Sequence, residues 1–110
     1  MAGFFSFFNS KGMNEYVQEA KGTPGAMIID VRSPVEFAQG HVEGAVNIPG
    51  PDIQRISRIV PDKETPLFVH CLSGARSATA ARVLKGMGYV NVTNMGGISR
   101  YQGTLVKGHK

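Results

Sequence analysis

The chain has 110 residues, 42% hydrophobic and 18% charged, which suits one globular domain with its own core and argues against global disorder. Its net charge of +4 favours small anionic substrates or acidic partners. The basic residues form no compact run and no aromatic-interleaved platform, so nucleic-acid binding is the weaker reading.

In chain order, the first feature is Phe4, Phe5, Phe7 and Phe8, crowded into a start with no basic leader, no long apolar core and no small-residue cleavage site. It reads neither as a signal peptide nor as a membrane span, and packing onto the domain is preferred over membrane-surface docking. Met13, Tyr16, Val17 and Ala20 recur at helical spacing, with Asn14 as the expected cap and Lys21-Gly22 as the end. Ala26 to Val31 reads as a buried strand. Ser33 then caps a short helix whose first residue is Pro34 and which Gly40 stops. Ala45 to Ile48 is a second strand, followed by a helical stripe of Ile53, Ile56, Ile59 and Val60 that Pro61 ends.

Leu67 to His70 is a third strand. The helix after it, up to Met87, buries Ala80, Val83, Leu84 and Met87 and ends at Gly88. The last strand is Val90 to Thr93, and Met95-Gly96-Gly97-Ile98 leads into a terminal turn. Strands alternating with helices imply an α/β fold: a small, mostly parallel central sheet flanked by helices. The expected division is a phenylalanine-rich segment (1–12), one domain (13–105) and a basic tail (106–110).

Sites in such folds lie beyond the carboxyl ends of the strands. Two sequences fall there, Asp30-Val31-Arg32 and the run Cys71-Leu72-Ser73-Gly74-Ala75-Arg76-Ser77. Cys71 is the only cysteine, so no internal disulfide can form, and no Cys/His pair has zinc-ligand spacing. By itself a lone cysteine is more often an inert buried side chain. At a strand-to-helix junction, however, backbone N–H groups and the helix dipole favour its thiolate and lower its pKa to roughly 3.5–7.5. Gly74 is free to take a left-handed turn there. Asp30 is expected to accept N–H bonds from its own loop. Arg32 either contacts substrate or pairs with Glu36 or Asp30. His70 should point away from the Cys71 face of its strand, and neither it nor His41 is assigned to catalysis.

Three blocks of residues carry a family resemblance. They are Ile29-Asp30-Val31-Arg32-Ser33-Pro34-Val35-Glu36-Phe37 continued by Gly40-His41-Val42-Glu43-Gly44-Ala45-Val46-Asn47-Ile48-Pro49, the cysteine loop 71–77, and Gly88-Tyr89-Val90-Asn91-Val92 with Asn94-Met95-Gly96-Gly97-Ile98. In order and spacing the chain resembles the rhodanese, or thiosulfate sulfurtransferase, superfamily in its single-domain form. Tyr101 stands near the place where that family often has tryptophan.

The resemblance implies a sulfurtransferase without cofactor or metal. Cys71 would be the nucleophile that takes sulfane sulfur from thiosulfate or a similar anionic donor. The persulfide would then be emptied by cyanide, a thiol or a sulfur-carrier protein. Leu72, Ser73, Gly74, Ala75, Arg76 and Ser77 would bind substrate. In that set Arg76 either meets the sulfonate or ties the loop, and Ser77 either caps the helix or donates to the site. Asp30 and Arg32 would support. A persulfide carrier fed by a partner protein is the alternative. A phosphatase or arsenate reductase is disfavoured, because cysteine phosphatases place the arginine six positions after the cysteine and here it is five. A reactive thiol and the absence of targeting signals suit the cytoplasm. If the thiol is exposed, oxidants should inactivate the protein early.

Overall fold

The computed structural model describes residues 11–109; the phenylalanine-rich stretch, with the packing expected of it, lies outside them. Helix α1 (Met13–Gly22) buries Met13, Val17 and Ala20 along one stripe. Its cap is Gly12, whose N–H donates to Glu15 Oε1 at 3.1 Å. Asn14, the expected cap, lies inside the helix and accepts from the Gln102 N–H at 2.8 Å instead. A turn at 23–26 leads into β1 (Met27–Asp30). In α2 (Pro34–Gln39), Ser33 Oγ accepts from the Glu36 N–H at 3.2 Å, and Glu36 Oε1 accepts from the Ser33 N–H at 2.9 Å. That reciprocal capping box, with proline in the first turn, sets the start of the helix.

Two two-residue strands follow, β2 (His41–Val42) and β3 (Val46–Asn47). The isoleucine stripe forms a 3-10 turn (Gly50–Arg55) running into α3 (Ile56–Ile59); Ile53, Ile56 and Val60 are buried, whereas Ile59 faces solvent. Next come β4 (Leu67–Cys71), α4 (Ala75–Gly86), β5 (Val92–Gly97) and β6 (Leu105–Val106), with a 3-10 turn at Ile98–Arg100. Helix α4 ends in a Schellman arrangement. The Tyr89 N–H donates to Leu84 O and the Gly88 N–H to Lys85 O, and both Tyr89 and Leu84 are buried in the same core.

Strands β3-β1-β4-β5 make one sheet in which every neighbour is parallel. Side-chain alternation divides its core in two. Ile29, Leu67, Val69 and Cys71 face α4, with Leu84 and Tyr89 in the same cluster. Ile28 and Phe68 face the other way, onto Met13, Val17 and Phe37 of α1 and α2. A second sheet pairs β2 with β6 antiparallel, His41 opposite Val106 and Val42 opposite Leu105. The boundary expected between residues 105 and 106 falls inside β6, and the Gly108 N–H bonds Ala38 O at 2.9 Å. Strand β5 starts and ends later than expected, because the ladder runs on to Cys71 opposite Gly97. Its register shifts between Val69–Asn94 and His70–Gly96, so Met95 is an extra residue at a bulge. No helix among the described residues is long and apolar enough to cross a membrane.

Candidate active site

Strand β4 carries Cys71 to the carboxyl edge of the sheet, and the chain then turns within three residues into α4. The turn needs Gly74 at φ +112°, a left-handed conformation that side chains rarely adopt. The loop also rests on bare backbone. A Cβ on Gly97 would come within 2.2 Å of Leu72 O and 2.6 Å of Ser73 Cα, so only glycine lets β5 serve as its floor. The Ser99 N–H holds Leu72 O from below at 3.1 Å.

Inside this loop the Gly74 N–H donates to Cys71 Sγ at 3.0 Å, and Ser77 Oγ lies 3.5 Å from the sulfur. Burial pushes the Cys71 thiol up. The Ser77 hydroxyl and the N–H groups of Ser77, Gly74 and Ser73 outweigh it and hold the thiol below its ordinary value. Cys71 is only 1% exposed, while Leu72, Ser73, Ala75 and Arg76 around it are open to solvent. The sulfur therefore sits at the bottom of a ring rather than on the surface, and the exposed thiol considered from the sequence is corrected to a buried one.

Ser77 is fully buried and is not the helix cap. Its hydroxyl lies 2.7 Å from Asn94 Oδ1 and 3.0 Å from Gly74 O. Arg76 leans to α2, where Nη1 and Nη2 donate to the two oxygens of Glu36 at 2.8 and 3.0 Å. That guanidinium, followed by the Ser33 N–H, lowers Glu36 to about 2. Beside Arg76 a cavity of about 360 Å³ opens between the 3-10 turn and α4, lined by Pro51, Ile53, Ala80 and Val83.

Asp30 and Arg32 lie behind the loop and are bound to each other. The Arg32 backbone N–H donates to Asp30 Oδ1 at 2.9 Å, and Arg32 Nη2 donates to Asp30 Oδ2 and to Gly40 O, both at 2.7 Å. Of the partners weighed for Arg32, the structure selects Asp30. Asn47 Nδ2 ties this turn to β3 through Asp30 O and Arg32 O, both at 2.9 Å. His70 is fully buried on the opposite face from Cys71. Its Nε2 is 3.6 Å from Asp30 Oδ2 and its Nδ1 meets Cys71 O at 3.2 Å. Burial, only partly offset by Asp30, lowers the pKa of this imidazole. His41 stacks on Phe37 with ring centroids 3.6 Å apart. Among the described residues, no group of three or more His, Cys, Asp or Glu side chains is arranged to hold a metal ion.

The loop residues 71–77 are thus brought together; Asp30 and Arg32 bond each other, and Arg32 lines one depression with Glu36 and Leu72. Sequence reasoning missed Glu36 as the partner of Arg76 and Asn94 as the partner of Ser77. The Glu36 three residues after Ser33 was a visible capping signal but said nothing about Arg76. Asn94 lies in a block that carries the family resemblance, but no local pattern ties it to Ser77.

A model of the rhodanese-like domain family matches residues 13–104. The thiosulfate sulfurtransferase PspE of Escherichia coli is 43% identical over 81 residues, covering 73% of this chain and 78% of that protein. The thiosulfate sulfurtransferase GlpE of Pseudomonas entomophila is 32% identical over 90 residues, covering 77% and 82%. A solved rhodanese with anions from E. coli superposes with a TM-score of 0.71 at 42% identity, covering 76% of this chain and 99% of that one.

Proposed function

The chain belongs to the rhodanese-like domain family, and from that premise we propose that it is a sulfurtransferase working through a persulfide on Cys71. The observation that carries this reading is the convergence of N–H groups on a buried sulfur with a lowered pKa. Such a cradle suits an anionic sulfur and costs no charged partner. The Cys71 thiolate attacks the outer sulfur of thiosulfate. A new S–S bond forms as the bond to the sulfonate sulfur breaks, and sulfite leaves with the bonding pair. An acceptor nucleophile, a thiol or a sulfur-carrier protein, then attacks the terminal sulfur, and the thiolate is regenerated. Ping-pong kinetics follow, with no cofactor or metal. A free thiolate that cycles in this way suits a reducing cytoplasm.

Leu72, Ser73 and Ala75 form the open rim through which donor enters, and Gly74 and Ser77 hold the sulfur. Arg76 bears its positive charge at that rim. Glu36 takes two of its five N–H donors, and the rest are available to the donor sulfonate. Asp30 and Arg32 support the site through the turn behind it. Phosphate chemistry fits less well, because Arg76 follows Cys71 by five positions, one fewer than in the cysteine phosphatases. A persulfide carrier loaded by a partner protein is the second reading, favoured by Leu72, which is 45% exposed beside the nucleophile.

The test is intact-protein mass spectrometry after thiosulfate and then cyanide. Wild-type protein gains one sulfur, which cyanide removes as thiocyanate, whereas Cys71→Ser gains none and keeps its melting temperature. Sulfur gained by Cys71→Ser would overturn the assignment. Folded, reduced wild-type protein that takes no sulfur from thiosulfate but takes it from a persulfidated protein would move the carrier reading ahead.

A further inference from the structure

The Ser77 hydroxyl has one proton and four acceptors around it. Asn94 Oδ1 is nearest at 2.7 Å, then Gly74 O at 3.0 Å, Gly96 O at 3.4 Å and Cys71 Sγ at 3.5 Å. The oxygen identity of the Asn94 atom follows from its second partner, the Gly96 N–H at 3.0 Å, which must meet an acceptor. The bulge at Met95 brings that N–H and the carboxamide together beside the sulfur loop. With its proton given to Asn94, Ser77 turns a lone pair toward Cys71, an arrangement that suits a thiol, whose S–H can donate. A thiolate needs the opposite, because it accepts only.

We propose that Asn94 is a positioning residue, one that holds the Ser77 hydroxyl proton away from Cys71 while the sulfur is a thiol and yields it when the sulfur becomes thiolate or persulfide. The Ser77 hydroxyl is then a two-position donor. In the resting form the order is thiol to Ser77 to Asn94. In the charged form Ser77 joins Gly74 in donating to sulfur, and Asn94 keeps only the Gly96 N–H. Asn94 therefore competes with the sulfur for one proton. This inference rests on the reading of Cys71 as the nucleophile.

Arg76 with Glu36 from α2, Asp30 with Arg32 from the end of β1, and the imidazole of His70 on β4 are the charged or titratable groups around Cys71. Lys11 and Arg100 line the depression beside Ser73 and Gly96. All of them are retained when Asn94 or Ser77 is changed, so a changed pH profile reports the hydroxyl.

The experiment follows alkylation of Cys71 by iodoacetamide across pH, using the full chain and intact mass. Asn94→Ala should move the midpoint down and speed alkylation several-fold below the wild-type midpoint. Ser77→Ala should move it up, and the double variant should coincide with Ser77→Ala. A midpoint that is unchanged or raised in Asn94→Ala overturns the proposal. So does an Asn94→Ala shift that persists when Ser77 is already alanine, because Asn94 would then act through loop shape. If Asn94→Ala does not fold, Asn94→Leu keeps the shape of the side chain without an acceptor, and must show the same direction. Alkylation needs no sulfur donor. A protein that ignores thiosulfate yet shows the coupled shifts fails the sulfurtransferase reading and keeps this one.

Discussion

Two arginines flank the sulfur loop, and each forms a paired bond with a carboxylate, but in opposite surroundings. Arg32 and Asp30 meet where their side chains are 6% and 0% exposed, and Arg32 also bonds Gly40 O. Arg76 and Glu36 meet at the rim, where the exposures are 46% and 29%. Water screens the rim pair and can replace either partner, so it adds little to stability. The buried pair has no such substitute, and removing one partner strands the other charge inside the protein. Bonds of similar length thus divide the work. One holds the end of β1 to Gly40 after α2, while the other leaves a cation beside Cys71.

The sharpest break of this comparison is Arg32→Ala, which should cost about 3–5 kcal/mol because Asp30 is left buried with only a backbone N–H and the His70 imidazole beside it. Urea denaturation measures it, and a loss below about 1 kcal/mol, the range of surface pairs, would erase the distinction. Gly97→Ala comes next. Its Cβ cannot coexist with Leu72 O at 2.2 Å, so the loop must shift, at a cost of about 1–3 kcal/mol. Sulfur loading of Cys71 should fall with it, and loading that stays normal would mean that β5 does not set the cradle.

The smallest effect on stability belongs to Arg76→Ala, within about 1 kcal/mol, together with a raised KM for thiosulfate. Its pH dependence has a definite sign. Glu36 is held at about 2 in the folded protein against an ordinary 4.5, so the stabilisation is present above 4.5 and is lost as pH falls toward about 2. The melting difference between wild type and Arg76→Ala should shrink across that interval. A difference that grows on acidification would show that Arg76 stabilises the fold by something other than Glu36.

Local patterns were legible from the residues alone. Ser33 and Pro34 start a helix because capping needs only neighbours in sequence, and the apolar spacing of α1 and α4 names the faces they bury. Cys71 stands at a strand-to-helix junction for the same reason, and alternation along β4 suffices to turn His70 away from it. The tertiary structure decided which partners meet. Glu36 reaches Arg76 forty residues away, Asn94 reaches Ser77, and His41–Val42 pairs with Leu105–Val106. It also decided that Cys71 is buried under an exposed rim. Periodicity and capping are properties of a few consecutive residues. The choice among several carboxylates or carboxamides for one donor depends on where the sheet sets its edges, and no local pattern contains that.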